Sequence, residues 1–412
     1  MEVRKMTLGT MATDVEQRID FDAMRKYRLQ RARDQMEKYD LGALVCFDND
    51  NIRYITSTNL HEWTRGKYFR WCVLPRGGDP VLFEVGTAAI VKRKLAPWLK
   101  PENIRPSMPW HRGANVKALN VELARNAVCE IKSILEENKV ADLPVGVDET
   151  EMYFLDAMEY AGLKVANGYD AMFDARIVKS PEELQIIELS ASLVDGVYAQ
   201  VTEFVKPGVR ENEVVALITG WLIEHGVDRI SGINCVSGPR SNPHPHDFSD
   251  RMIRPGDLVF IDIMSHYLGY ATCYYRTFAV TRSTQRQKNV YQRALDWLQA
   301  SIEVVRPGIT TADIAAQWPS AQELGYKDEK EAFALALGHG IGLSHHEKPW
   351  ISRAYSMEYP VLIEEGMHFA LETFYGEEDD GARIESQIIV TQDGHKIITQ
   401  WPCEELMVLD PR

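Results

Sequence analysis

Long apolar runs are missing from this 412-residue sequence. No stretch approaches the roughly eighteen residues that a membrane-spanning helix needs, so no membrane partner is expected. An excess of positive charge is missing as well. Lys and Arg number 46 against 60 Asp and Glu, a formal net charge of −14, which argues against nucleic acid or an anionic membrane surface as a partner. Cysteine is sparse: the six, at positions 46, 72, 129, 235, 273 and 403, are scattered and form no CxxC pair. They read as reduced, mostly buried thiols rather than a disulfide framework. The first twenty residues carry neither an apolar signal core nor a small-residue cleavage site, so a cytoplasmic location is expected.

What is present is a chain long enough for two cores. Alternating strand-like and helix-like segments make the first part α/β: a charged helix from Asp20 to Lys38, strands at Leu41–Phe47, Trp71–Pro75 and Pro80–Val85, a helix over Asn120–Glu137 and a strand at Leu143–Val147. Between them a polar turn precedes Asn51–Tyr54, followed by the aromatic and basic residues Trp63, Arg65, Tyr68, Arg70 and Trp71. This stretch reads either as a half-buried sheet edge or as a cap whose aromatic faces and Arg forks hold a substrate.

The domain boundary is placed between residues 174 and 175, giving domains 1–174 and 175–412. Ser180-Pro181-Glu182-Glu183 opens a helix, with an N-cap serine, proline at the first helical position and glutamate three residues after the cap. Helices are expected to Val205, over Glu211–His225, from Thr284 to Val305, and as short pieces at Thr311–Trp318 and Glu329–Leu335. Strands are expected at Ile230–Val236, Asp257–Met264, Tyr270–Thr281, Met367–Thr373, Arg383–Thr391 and His395–Gln400. Helices then strands, twice over, suggest an internal duplication, and the whole is α+β.

The second half carries the chemistry. His339 stands between two glycines in Ala336–Glu347 (ALGHGIGLSHHE), with His345, His346 and Glu347 one loop on. In an antiparallel hairpin, facing residues share a constant sum of numbers. A turn at Tyr267-Leu268 puts Asp262 opposite position 273, and one at Glu378-Asp379 puts Glu372 opposite Glu385. Ionised carboxylates in strands as apolar as LVFIDIM and HFALETF cost several kcal/mol unless paired with a cation or metal. A divalent metal centre is one reading of this set; a buried salt-bridge network using Arg276 and Arg383 is the other.

The segments GDLVFID, GYATCYYRTF, GHGIGLSHHE, EEGMHFALETF and GARIESQIIVT, with VKSPEELQIIELSA and NIRYITS upstream, resemble the successive motifs of the creatinase/prolidase/methionine aminopeptidase superfamily, the pita-bread proteins of peptidase family M24. The likeness is strongest to the Xaa-Pro peptidase branch and covers nearly the whole chain. It implies a C-terminal pita-bread domain behind a creatinase-like α/β domain. It also implies metal ligands at Asp262, position 273, His339, Glu372 and Glu385. Position 273, an aspartate in the family, is Cys273 here. A thiolate there would favour Zn²⁺ or Fe²⁺ over Mn²⁺, and losing one carboxylate bridge weakens the site for a second ion, leaving one or two ions open.

The same resemblance implies that Glu372 shuttles a proton, that His346 supports an oxyanion and that Arg383 orients substrate. It brings His244 or His246 to the substrate and His345 beside it. For His345 and His346 the competing reading is a structural loop histidine. A homodimer is implied, with Trp63, Tyr68 and Arg70 reaching the neighbouring subunit's site. The expected activity is hydrolysis of a C–N bond in a small or dipeptide substrate of Xaa-Pro type. The alternatives are a lyase of the dimethylsulfoniopropionate-cleaving type, suggested by SGPRSNP and the aromatic stretch, and a metal-independent creatinase-like amidinohydrolase. A non-catalytic binding module on this fold is the least supported.

Overall fold

Asp20 starts the first helix by accepting hydrogen bonds from Asp22 N and Ala23 N, the usual way an aspartate satisfies the orphan donors of a helix end. The computed structural model describes residues 19–60, 68–108 and 115–409. Its first half runs α1 (Phe21–Lys38), β1 (Ala43–Cys46), α2 (Asn49–Thr56), β2 (Trp71–Pro75), β3 (Val81–Val85), α3 (Ala88–Leu95), β4 (Ile104–Ser107), α4 (Lys117–Glu137), β5 (Val145–Val147), α5 (Met152–Tyr160), β6 (Val165–Asn167) and α6 (Gly168–Arg176). The strands form a six-stranded sheet in the order β4-β3-β2-β1-β5-β6. The polar turn expected before Asn51 is the start of α2 instead. Asp48 caps it, accepting from Asp50 N and Asn51 N.

The second half runs α7 (Pro181–Phe204), α8 (Glu211–Glu224), β7 (Arg229–Ser237), β8 (Leu258–Tyr267), β9 (Tyr270–Val280), α9 (Gln285–Glu303), α10 (Thr311–Ala315), β10 (Ala336–Gly340), β11 (Glu347–Ile351), α11 (Arg353–Ser356), β12 (His368–Glu377), β13 (Asp380–Thr391), β14 (Gly394–Ile397) and β15 (Met407–Leu409). The expected capping box is present at Ser180 and Glu183, and Thr284 with Gln287 makes another at the start of α9. The helix expected over Glu329–Leu335 does not form. There Ala334 has a positive φ, and the carbonyls of Ala334 and Leu335 accept from Arg383 Nη1 and Phe374 N.

Two sheets result, β15-β9-β8-β7 and β11-β10-β12-β13-β14. The helices lie on one face of each. Val194, Val197 and Val201 of α7 pack on Ile261 and Ile263 of β8 and on Tyr274 of β9. Val290, Ala294 and Leu298 of α9 pack on Leu371 of β12 and Ile384 of β13. Burying each such side chain stabilises by about 1.5–3 kcal/mol, which fixes the register: a one-residue slip would turn every strand inside out. The sheets meet where β9 adjoins β13. Thr277 Oγ1 donates to Arg383 O (2.7 Å) and accepts from Arg383 N (3.0 Å), and Arg276 Nη1 donates to Glu385 O. Among the described residues no helix is long and apolar enough to cross a membrane.

Candidate metal centre

Strand alternation sends one set of side chains to the helices and the other to the concave face. On β12 and β13, Leu371 and Ile384 go to the helices, so Glu372 and Glu385 share the opposite face, directly paired as the hairpin count predicts. On β8 and β9 the count is corrected. Asp262 pairs with Tyr275, and Cys273 pairs with Met264, because the turn is at Leu268-Gly269, where both residues have positive φ. The shift is two residues, so Cys273 keeps the face of Asp262 and becomes its diagonal neighbour.

The five side chains converge. Cys273 Sγ lies 3.4 Å from Asp262 Oδ1 and 3.4 Å from Glu385 Oε2. His339 Nε2 lies 3.6 Å from Glu385 Oε1. His339 Nδ1 is 3.3 Å from Gly340 O, a contact that makes Nδ1 the protonated nitrogen and turns the Nε2 lone pair toward Glu385. Asn234 Nδ2, unmarked by any motif, donates to Asp262 Oδ2 (3.1 Å) and to the Tyr275 hydroxyl (2.8 Å).

Of the two arginines in the salt-bridge reading, one takes part. Arg383 Nε donates to Glu372 Oε2 at 2.8 Å, and Nη2 donates to the same oxygen. Arg276 spends its donors on the carbonyls of Trp401, Tyr275 and Glu385. No cation reaches Asp262 or Glu385 at hydrogen-bond distance among the described residues, and Glu385 Oε1 is buried without a hydrogen-bond partner. Burial, then the neighbouring carboxylates, pushes the Asp262 and Glu385 carboxyls well above the usual range, and burial likewise raises the Cys273 thiol. Burial pushes His339 down, keeping it neutral.

An orphaned carboxylate oxygen beside an imidazole lone pair and a thiol fits a divalent cation. Ligand atoms of Asp262, Cys273 and Glu385 lie within 4.8 Å of one another, as do those of His339, Glu372 and Glu385, and those of Cys273, His339 and His345.

The loop histidines stand over this group. The His346 ring centroid is 4.5 Å from that of His339, and the ring stacks on Trp350. His345 stacks on His346 at 4.4 Å. Burial lowers His346 to about 4 and His345 to about 2, so both are neutral at ordinary pH. The loop is anchored by Glu347, fully buried, which pairs with Arg176 Nε (3.2 Å) and Lys179 Nζ (3.1 Å) and accepts from Ser344 N. Gly342 is required there, since a Cβ would sit 2.5 Å from Glu347 Oε2.

His244 stacks on Phe260 at 4.6 Å and touches Tyr275 and Phe374 edge-on. Both its ring nitrogens are buried without hydrogen bonds, and burial lowers its pKa. His246 packs edge-on against His244 at 4.4 Å.

Of the expected substrate cap, Tyr68 and Arg70 are described. Tyr68 is buried against Phe47. Arg70, wholly buried, pairs with Glu84 (3.2 Å) and donates to Thr58. Within this chain their contacts are thus with neighbours in the first domain. Trp63 and Arg65 lie outside the described residues.

Comparison with known proteins follows the same lines. The metallopeptidase family M24 pattern matches residues 185–392. The Xaa-Pro dipeptidase of Pyrococcus furiosus is 30% identical over 234 residues, 56% of this chain and 65% of that protein, just under two thirds of its length. Dimethylsulfoniopropionate lyase DddP of Roseobacter denitrificans is 23% identical over 404 residues, covering 94% of this chain and 88% of the lyase. The crystal structure of dipeptidase PepE from Mycobacterium ulcerans superimposes with a TM-score of 0.74 at 25% identity, covering 95% of this chain and all of that one.

Proposed function

This chain belongs to metallopeptidase family M24, and on that premise we propose that it is a metal-dependent hydrolase of Xaa-Pro dipeptides or related small amides, built on an altered ligand set. The observation that carries this reading is the buried, partnerless Glu385 Oε1 facing His339 Nε2 across 3.6 Å with Cys273 alongside. Asp262, Cys273, His339, Glu372 and Glu385 would hold the ion, which when bound polarises a scissile carbonyl and acidifies a water molecule.

The chain's own residues do the rest. Glu372 has Oε2 fixed by Arg383, so Oε1 is the oxygen free to take a proton from the attacking water. His346, neutral at pH 7, offers an N–H to the developing oxyanion instead of a full positive charge. Arg383 holds Glu372 and, through it, the substrate's approach. His244 and His246 supply an aromatic wall on the Phe260 side. One ion is the expected content, since a thiol replaces the second bridging carboxylate and Arg383 already neutralises Glu372. A homodimer belongs to the same reading.

The test is release of proline from Xaa-Pro dipeptides by protein supplied with Zn²⁺, Mn²⁺ or Co²⁺. No release under any of these metals contradicts the assignment. A second reading, a dimethylsulfoniopropionate-cleaving lyase, is supported by the lyase match extending through 94% of the chain. Dimethyl sulfide and acrylate from that substrate, without dipeptide hydrolysis, would select it.

A further inference from the structure

Three ligand types occur in this pocket, and they are not evenly mixed. Cys273 Sγ and one nitrogen each of His339 and His345 lie within 4.8 Å of one another. Glu372, the carboxylate nearest that group on β12, has one oxygen taken twice over by Arg383. Glu385 Oε1 lies 3.6 Å from His339 Nε2 with no hydrogen bond.

We propose that Cys273, His339 and His345 form a sulfur-and-two-nitrogen ligand set, completed by Glu385, that makes this centre select Zn²⁺ over Mn²⁺. The inference rests on reading the pocket as a metal centre and adds His345 as a ligand, with the selectivity that follows. Soft thiolate and imidazole donors suit Zn²⁺, whereas carboxylates suit Mn²⁺. One sulfur, two nitrogens and a carboxylate oxygen are donors that Zn²⁺ would accept, and a hydrolytic centre would keep a further position for water.

His345 is presented by an anchored turn. Glu347 ties the loop to Arg176 and Lys179 through buried ion pairs. Its carboxylate also accepts from Ser344 N, one residue before His345. A loop held this way can offer a ligand without a large ordering cost. Proton balance is simple. The Cys273 thiol, with one proton to give, lies 3.4 Å from both Asp262 Oδ1 and Glu385 Oε2; on ion binding that proton would pass to solvent and the sulfur would bind as thiolate.

The experiment uses the full chain, freed of metal and reloaded. With Co²⁺ in place of Zn²⁺, a thiolate-to-metal charge-transfer band in the near ultraviolet is expected, and Cys273→Ser should abolish it. His345→Asn should keep the band and weaken Zn²⁺ binding at least about tenfold, since even groups one shell removed from a metal are worth that much. Zn²⁺ binds more tightly than Mn²⁺ at most sites, so selectivity is read as a ratio. Cys273→Asp should lower the Zn²⁺:Mn²⁺ affinity ratio by about tenfold or more.

Absence of the band in the parent protein overturns the proposal. So does His345→Asn that raises KM for a dipeptide while leaving Zn²⁺ affinity unchanged, because His345 is then a substrate contact. Far-ultraviolet circular dichroism of each variant separates lost ligation from lost folding. The two readings fail separately. A charge-transfer band without peptide hydrolysis supports this ligand set and removes the hydrolase; hydrolysis with Mn²⁺ and no band does the opposite.

Discussion

Arg383 and Glu372 meet diagonally across the β12–β13 hairpin, with Arg383 Nε 2.8 Å from Glu372 Oε2 and both groups buried. One residue of the pair was expected to bind substrate and the other metal; in the structure each is the other's first partner. Removing the guanidinium leaves a buried carboxylate without its cation, a loss of about 3–5 kcal/mol. Arg383→Ala should lower stability by that amount in denaturant titration. Arg383→Lys should recover part of the stability and little of the activity, because an ammonium cannot reproduce the two-donor fork.

Glu372→Gln keeps shape and removes the proton acceptor. Its kcat per folded molecule should fall by about 10²–10⁴-fold, and Tm should fall as well because the buried Arg383 loses its counter-charge, read by dipeptide hydrolysis and thermal unfolding. Activity near that of the parent would take Glu372 out of proton transfer.

Glu347 shares one buried carboxylate between Arg176 and Lys179. Glu347→Gln leaves two buried cations without a counter-charge and should destabilise by about 3–5 kcal/mol. If the loop tether matters to the site, His345 and His346 also lose their placement, and Zn²⁺ affinity should drop in the same variant. Loss of stability with unchanged Zn²⁺ affinity would limit Glu347 to joining Ser344 with the chain around residues 176–179.

The metal-free carboxyls give a pH signature of definite sign. Burial raises Asp262 and Glu385 above their ordinary values. Their contribution to stability is therefore complete below about pH 4 and is lost as pH rises through the raised values. A bound dication requires these groups ionised and Cys273 as thiolate, so its affinity climbs over the same interval. The rise in Tm on adding excess Zn²⁺ should therefore grow as pH is raised above the ordinary carboxylate range. A rise that is flat or shrinks with pH contradicts ligation by this set.

Arg70 offers a check on the expected substrate cap. Because it pairs with Glu84 where both side chains are fully buried, Arg70→Ala should cost stability, about 3–5 kcal/mol, and leave the KM of the remaining folded enzyme unchanged. A raised KM with normal stability would return Arg70 to the substrate.

Much of the fold was legible because it rests on local rules. Ser180-Pro181-Glu182-Glu183 announces α7, and the capping box is there. The apolar runs around Asp262 and Glu372 announce β8 and β12, and the facing of Glu372 with Glu385 follows from hairpin arithmetic. The Asp262 register was missed by two residues because a positive-φ pair at Leu268-Gly269 set the turn. The helix expected near Glu329 lost to β12 and β13, whose donors claim the carbonyls of Ala334 and Leu335. Asn234 could not be singled out. Its importance is a cross-strand contact with Asp262, and nothing in INCV marks it.

By itself the sequence determined which residues are buried strands, which carry carboxylates, and that a histidine between glycines lies among them, because alternation, caps and turn chemistry act over a few residues. Tertiary structure alone decided the partnerships: Arg383 with Glu372, Glu347 with Arg176 and Lys179, Cys273 between Asp262 and Glu385, and His345 beside them. Those contacts join positions from 11 to 171 residues apart, and only the packing of two sheets and the anchoring of one loop bring such distant groups within reach.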